Sequence, residues 1–140
     1  MTKLSFGFLV FILASIINAQ NPPPRSSSGF LKHCDVTSLK YNANFKSPDW
    51  RQLTALCTTS SGKKALSTLD LNNCIANHEG ILEWDAKDAN YSASCKVCNI
   101  RNKSEFACAQ CKKTDGSYSK WTYLKLNEGI AYQDDQLVCG

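Results

Sequence analysis

An internal echo constrains this chain more than any other feature. The stretch Leu69–Trp84 (LDLNNCIANHEGILEW) overlays Leu124–Cys139 (LKLNEGIAYQDDQLVC) when shifted by 55 residues. Leu69/Leu124, Leu71/Leu126, Asn72/Asn127, Ile75/Ile130, Ala76/Ala131 and Leu82/Leu137 are identical pairs, and Glu79/Asp134 keep a carboxylate. A repeat of this kind is one structural unit built twice. In the first copy, Leu69-Asp70-Leu71 and Leu82-Glu83-Trp84 alternate apolar and polar residues, the period of a half-buried strand. The polar connector between them ends in His78-Glu79-Gly80. It reads as a turn, because glycine supplies a positive φ without steric cost.

Residues 1–19 read as an export signal rather than fold. Lys3 is the positive end, Leu4–Ile17 is an apolar run, and Ile17-Asn18-Ala19 closes on a small residue suited to cleavage before Gln20. That is the layout of a secretory signal peptide. The run is shorter than the roughly 20 residues of a membrane span. The expectation is therefore a secreted, extracellular protein with no membrane span. Gln20–Gly29 is a Pro/Ser-rich leader expected to be disordered or extended. Residues 30–140 suit a single domain, with repeat 1 near 30–84 and repeat 2 near 85–140. The formal net charge of +4 is mild, and the lysines are scattered apart from Lys63-Lys64 and Lys112-Lys113. Nothing in this balance calls for nucleic acid.

Eight cysteines follow the signal, and an even count in an exported chain reads as disulfides. Cys95-Lys96-Val97-Cys98 is answered by Cys108-Ala109-Gln110-Cys111, which also raises a zinc site. The interval from Cys98 to Cys108 is shorter than the usual ribbon spacing, and an oxidising compartment works against free thiolates. In an antiparallel hairpin of constant register, opposed residues share one index sum. Cys95 with Cys111 and Cys98 with Cys108 both give 206, and opposed Cα atoms lie within disulfide range. Cys95 and Cys98 differ by an odd number, so the two bridges are expected on opposite faces. A β-bulge would spoil that register. Cys34 with Cys57 then forms the bridge of the first repeat. Cys74 with Cys139 follows by elimination, with free thiols at both as the alternative. Asn90-Tyr91-Ser92 and Asn102-Lys103-Ser104 are sequons, making Asn90 and Asn102 candidate N-glycan acceptors.

The rest of the chain reads as short strands. Gln52–Cys57 puts Leu53, Ala55 and Cys57 on one side, and Ser61-Gly62 and Asp115-Gly116 mark turns. Cys95–Cys111 reads as a hairpin with Arg101-Asn102-Lys103-Ser104 at its tip. No long stretch keeps a helical period, so the fold class is all-β.

Cys57, Leu69-Asp70-Leu71-Asn72, Ile75, Asn77, Gly80, Leu82-Glu83-Trp84, Ser94-Cys95 and Cys111-Lys112 together resemble the cyanovirin-N homology family. Leu126-Asn127 through Leu137 fall where that family's second repeat ends. The resemblance covers roughly Phe30–Gly140. It implies two tandem, pseudo-symmetric repeats that exchange strands, short helical turns, and either a monomer or a domain-swapped dimer. It also implies a lectin with a shallow glycan site in each half.

By position, the second-half site would use Asn77, His78, Glu79, Ser94, Lys112, Lys113 and Thr114. The first-half site would use Lys32, His33, Thr58, Thr59, Ser60, Gln133 and Asp134. Hydroxyls, amides and carboxylates of this kind can match sugar hydroxyls as donors or acceptors. The chain departs from the pattern in three places. An insertion lies within Lys40–Asp49, Tyr132 stands where Asn is expected, and Asp135 stands where Gly is expected. Asp enters the left-handed region less readily than Gly. The second-half site is therefore the preferred one, although a glycan on Asn90 would lie close to it.

The expected function is recognition of glycans or glycoproteins, with mannose-containing glycans as candidate ligands and with no cofactor and no metal. The alternative is a secreted cysteine-rich interaction protein or effector on the same scaffold without sugar binding. An enzyme is not expected. His33 and His78 are the only histidines, and no motif pairs either with a free nucleophile.

Overall fold

The computed structural model describes residues 28–140. The expected signal peptide and residues 20–27 of the expected leader lie outside the described residues. Four antiparallel units make up the fold. β1 (Lys40–Tyr41), β2 (Gln52–Thr58) and β3 (Lys64–Asp70) form one sheet, and β4 (Ile75–His78) pairs with β5 (Ile81–Trp84). β6 (Cys95–Arg101), β7 (Glu105–Cys111) and β8 (Thr122–Lys125) form the second sheet, and β9 (Ile130–Gln133) pairs with β10 (Gln136–Cys139). Short 3-10 turns at Phe30–Lys32, Val36–Ser38, Leu71–Asn73 and Tyr91–Ala93, and the single-turn helix α1 (Leu126–Gly129), join them. No helix among the described residues is long and apolar enough to cross a membrane.

The strand partners differ from the reading of the opening repeat. β3 ends at Asp70, whose carboxylate accepts from the Asn72 amide at 2.9 Å and starts the 3-10 turn. The partner of Leu82–Trp84 is Ile75–His78, which the sequence presents as connector. Ile75 and Ala76 are both buried, and two adjacent core residues hide the two-residue period. The turn itself is where the glycine placed it. Glu79 and Gly80 have φ of 53° and 84°, the pair of positive values a two-residue hairpin loop of type I′ needs.

The halves exchange their hairpins, with β5 against β8 and β10 against β3. The repeat explains what holds them. Leu82 donates its backbone N–H to Thr122 Oγ1 at 3.0 Å, and its repeat mate Leu137 donates to Ser67 Oγ at 2.8 Å. Ser67 and Thr122, themselves 55 residues apart, are the buried polar side chains of the described chain. Asn72 Oδ1 likewise accepts from Ser92 N at 2.9 Å, while Asn127 Oδ1 accepts from Leu31 N at 3.0 Å. Leu71/Leu126, Ile75/Ile130, Ala76/Ala131 and Leu82/Leu137 all lie in the core, with Phe30, Leu53 and Phe106. At the join, Tyr41 and Tyr91 share a hydroxyl–hydroxyl hydrogen bond of 2.8 Å and both meet Phe106 edge-on.

Four disulfides close the fold: Cys34–Cys57, Cys74–Cys139, Cys95–Cys111 and Cys98–Cys108. The two hairpin bridges stand together on one face rather than on opposite faces. The Cys95, Cys108 and Cys111 sulfurs all lie within 4.8 Å of one another. Val97 on β6 and Gln110 on β7 are each skipped by the ladder, at φ of 55° and 58°. One bulge per strand leaves the index sum intact but flips the facing between Cys95 and Cys98. No described cysteine is free, so this sulfur cluster offers no thiolate to a metal.

Candidate functional site

In the first half, three segments converge. The 3-10 turn Phe30–Lys32 delivers His33, the end of β2 delivers Thr58 to the Thr59–Lys63 loop, and the β9–β10 turn comes across from the other repeat. Between them lies a cleft of about 280 Å³ lined by His33, Thr58, Thr59, Ser60, Tyr132, Asp134 and Asp135. Lys32 and Gln133 flank it without lining it.

Asp134 and Asp135 both adopt positive φ, 50° and 61°, so the turn keeps its type without glycine. The Asp135 carboxylate accepts the Ser60 backbone N–H at 2.7 Å and the Ser60 hydroxyl at 2.9 Å. The turn thereby holds the β2–β3 loop in place. Tyr132 puts its ring 5.6 Å from that of His33, and its hydroxyl is buried without a hydrogen-bond partner. Burial, and then the charge of Asp135, push that phenol above its ordinary pKa.

The second half is built from the same parts and is more occupied. Asn77 Nδ2 donates to Ser94 Oγ and to the Lys112 carbonyl, both at 2.8 Å, while Asn77 Oδ1 accepts from Gly80 N at 2.8 Å. Glu79 Oε1 accepts from Thr114 N at 3.1 Å. A Cβ on Gly80 would lie 2.9 Å from Ser119 Cβ and 3.1 Å from Lys113 Cε, so both side chains press on the turn. His78 stands apart from these residues. Alternation along β4 points it away from Asn77, and its Nε2 lies 3.1 Å from Asp85 Oδ2 and 3.9 Å from Glu83 Oε2. Asp85 is held below the usual carboxylate range, first by the Asp88 amide and then by His78.

The structure thus groups Asn77, Glu79, Ser94, Lys112, Lys113 and Thr114 on one side, and His33, Thr58, Thr59, Ser60 and Asp134 on the other. Tyr132 and Asp135 join the second set. The signal that marks them is their departure from the repeat. In each half a carboxylate from the hairpin turn clasps a loop of the opposite sheet. That carboxylate sits one residue later in the first half than the repeat alignment places it. The candidate glycan acceptors Asn90 and Asn102 are exposed.

A family model described as the CVNH domain matches residues 30–138. Among solved structures, microvirin in its mannobiose complex is 28% identical, with 81% of this chain and 99% of that one covered at a TM-score of 0.61. A CVNH protein of T. borchii is 23% identical over 80% of this chain and 99% of its own, also at 0.61. A MoCVNH3 variant in complex with (N-GlcNAc)4 is 13% identical over 84% and 100%, at 0.62. The last two likenesses speak for the fold alone. The family match spans nearly all of the described residues, and identical positions of the two repeats make matching contacts in both halves. On those grounds the chain belongs to the CVNH domain family.

Proposed function

We propose that this chain is a secreted lectin that binds mannose-containing glycans, with the first-half cleft as its principal site. The observation that carries the reading is that cleft, lined by the hydroxyl-bearing Thr58, Thr59 and Ser60 and the carboxylate-bearing Asp134 and Asp135 together with the rings of Tyr132 and His33. Such a lining offers donors and acceptors to sugar hydroxyls without a deep apolar floor. Family membership and the mannobiose complex of microvirin support it. This order of preference departs from the one drawn from the turn residues, and the hydrogen bonding of the two turns supports the change. Both Asn77 donors are spent within the protein, whereas Asp135 braces the first-half loop and leaves Asp134 beside the cleft. The proposed activity is recognition alone, and each shallow site is expected to bind weakly unless a branched glycan engages both.

A glycan array followed by mannobiose titration tests this. Asp134→Ala is expected to weaken mannobiose about tenfold with the melting temperature unchanged, and galactose is expected not to compete. Absence of binding to every array glycan by the oxidised protein would overturn the lectin reading in favour of an interaction protein on this scaffold.

A further inference from the structure

Two departures of this chain from its own repeat meet at one place that the sugar reading does not use. In the first half, the chain between β1 and β2 swings out through a built loop. Its base is closed by the Asn42 backbone N–H donating to the Gln52 carbonyl at 3.0 Å and the Arg51 N–H donating to the Asn42 carbonyl at 2.9 Å, and Asn42 Nδ2 donates to Ser47 Oγ at 3.0 Å. In the second half, the bulge in β6 sets Val97 between two cysteines that are each tied to β7. A β-branched residue at φ 55° is a strained backbone, and such strain persists only where the surroundings impose it.

Loop and bulge enclose a groove of about 490 Å³ lined chiefly by Tyr41, Phe45, Trp50, Tyr91 and Val97. Phe45 and Val97 remain 71% and 62% exposed. A groove of this volume and character suits a small molecule. Its charge is one-sided. Lys96 is the charged residue of the lining, which contains no carboxylate. Lys46 places its ammonium 5.8 Å from the centre of the Phe45 ring. Arg51 lies over Trp50 at 4.8 Å, but Asp70 and Ser92 already engage it. A glycan would meet few hydroxyl partners on such a surface, whereas an apolar body with a negative end matches both the walls and the rim.

We propose that this groove binds a small amphipathic anion, an aliphatic or aromatic body carrying one carboxylate or sulfonate. The site is independent of the sugar cleft and shares no lining residue with it.

Calorimetric titration of the oxidised full chain with decanoate and with decanol tests the proposal. Phe45→Ala should weaken both ligands about tenfold. Lys96→Gln should weaken decanoate about threefold and leave decanol unchanged. Both residues are exposed, so melting temperature and glycan binding should stay at their wild-type values. Absence of decanoate binding, or equal affinity in Phe45→Ala, would overturn it. So would ultracentrifugation showing a ligand-free dimer that Phe45→Ala dissociates, because the groove would then belong to a second copy of the chain.

Discussion

At the scale of single residues, Gly129 carries the tightest constraint. A Cβ there would fall 1.9 Å from Trp84 Cδ2 and 2.1 Å from Cε2, so the indole ring would have to shift. Overpacking of this kind costs about 1–3 kcal/mol. Gly129→Ala should lower the thermal midpoint markedly, and adding Trp84→Ala should recover part of the loss. The Tyr41–Tyr91 pair sets the alkaline limit. Burial first, and the neighbouring phenol second, raise the pKa of Tyr91, and burial raises that of Tyr41. A raised folded pKa contributes stability that is whole below the unfolded value of about 10 and is lost as pH rises beyond it. Unfolding free energy should therefore fall above that pH, with these phenols ionising at 295 nm only as the protein unfolds. Asp85 works in the opposite sense. Its lowered pKa gives a contribution present above about pH 4 and lost as pH falls through the folded value. His78→Ala should shrink that acid-side loss, measured by urea midpoints across the acid range.

At the scale of elements, the turn and the loop it clasps decide the candidate site. Asp135→Gly would relieve an unfavourable left-handed residue but release Ser60. The relief is about 1–2 kcal/mol and the lost hydrogen bonds are of similar size, so the melting temperature should move little. Mannobiose affinity should nevertheless fall severalfold, because the Thr59–Ser60 side of the cleft loses its brace. The buried hydroxyls that receive the exchanged hairpins behave differently. Thr122→Val leaves the Leu82 N–H without its partner in a buried setting, a loss of about 1–3 kcal/mol. Ser67→Ala should cost a similar amount through Leu137, both read by chemical denaturation. Neither role is visible in the chain, since a hydroxyl in a strand has many ordinary uses.

At the scale of the whole molecule, the bridges differ in reach. Cys74–Cys139 spans 65 residues and joins one repeat to the other, and closing a loop of that length is worth about 4 kcal/mol in the chain-entropy model. Cys98–Cys108 spans 10 residues inside the loop already closed by Cys95–Cys111, so it adds far less. Replacing Cys74 and Cys139 with serine should lower the melting temperature by about 10 °C or more. Serine at Cys98 and Cys108 should change it by only a few degrees.

Much of this architecture was legible beforehand. Leu71, Ile75 and Leu82 and their mates announced the core, and equal index sums paired the hairpin cysteines, because strand periodicity and antiparallel opposition are local rules. The bulges at Val97 and Gln110 cancel in any sum, so only coordinates reveal that both bridges share a face. Pairing of β5 with Ile75–His78 stayed hidden because adjacent buried residues erase the alternation. The Leu69–Trp84 stretch and its echo therefore determined by themselves that the fold is doubled and all-β. Tertiary structure alone decided how each turn is held and what its polar groups engage. That outcome turns on where the carboxylates of Glu79 and Asp135 and the amide of Asn77 find partners, and those partners come from the opposite sheet.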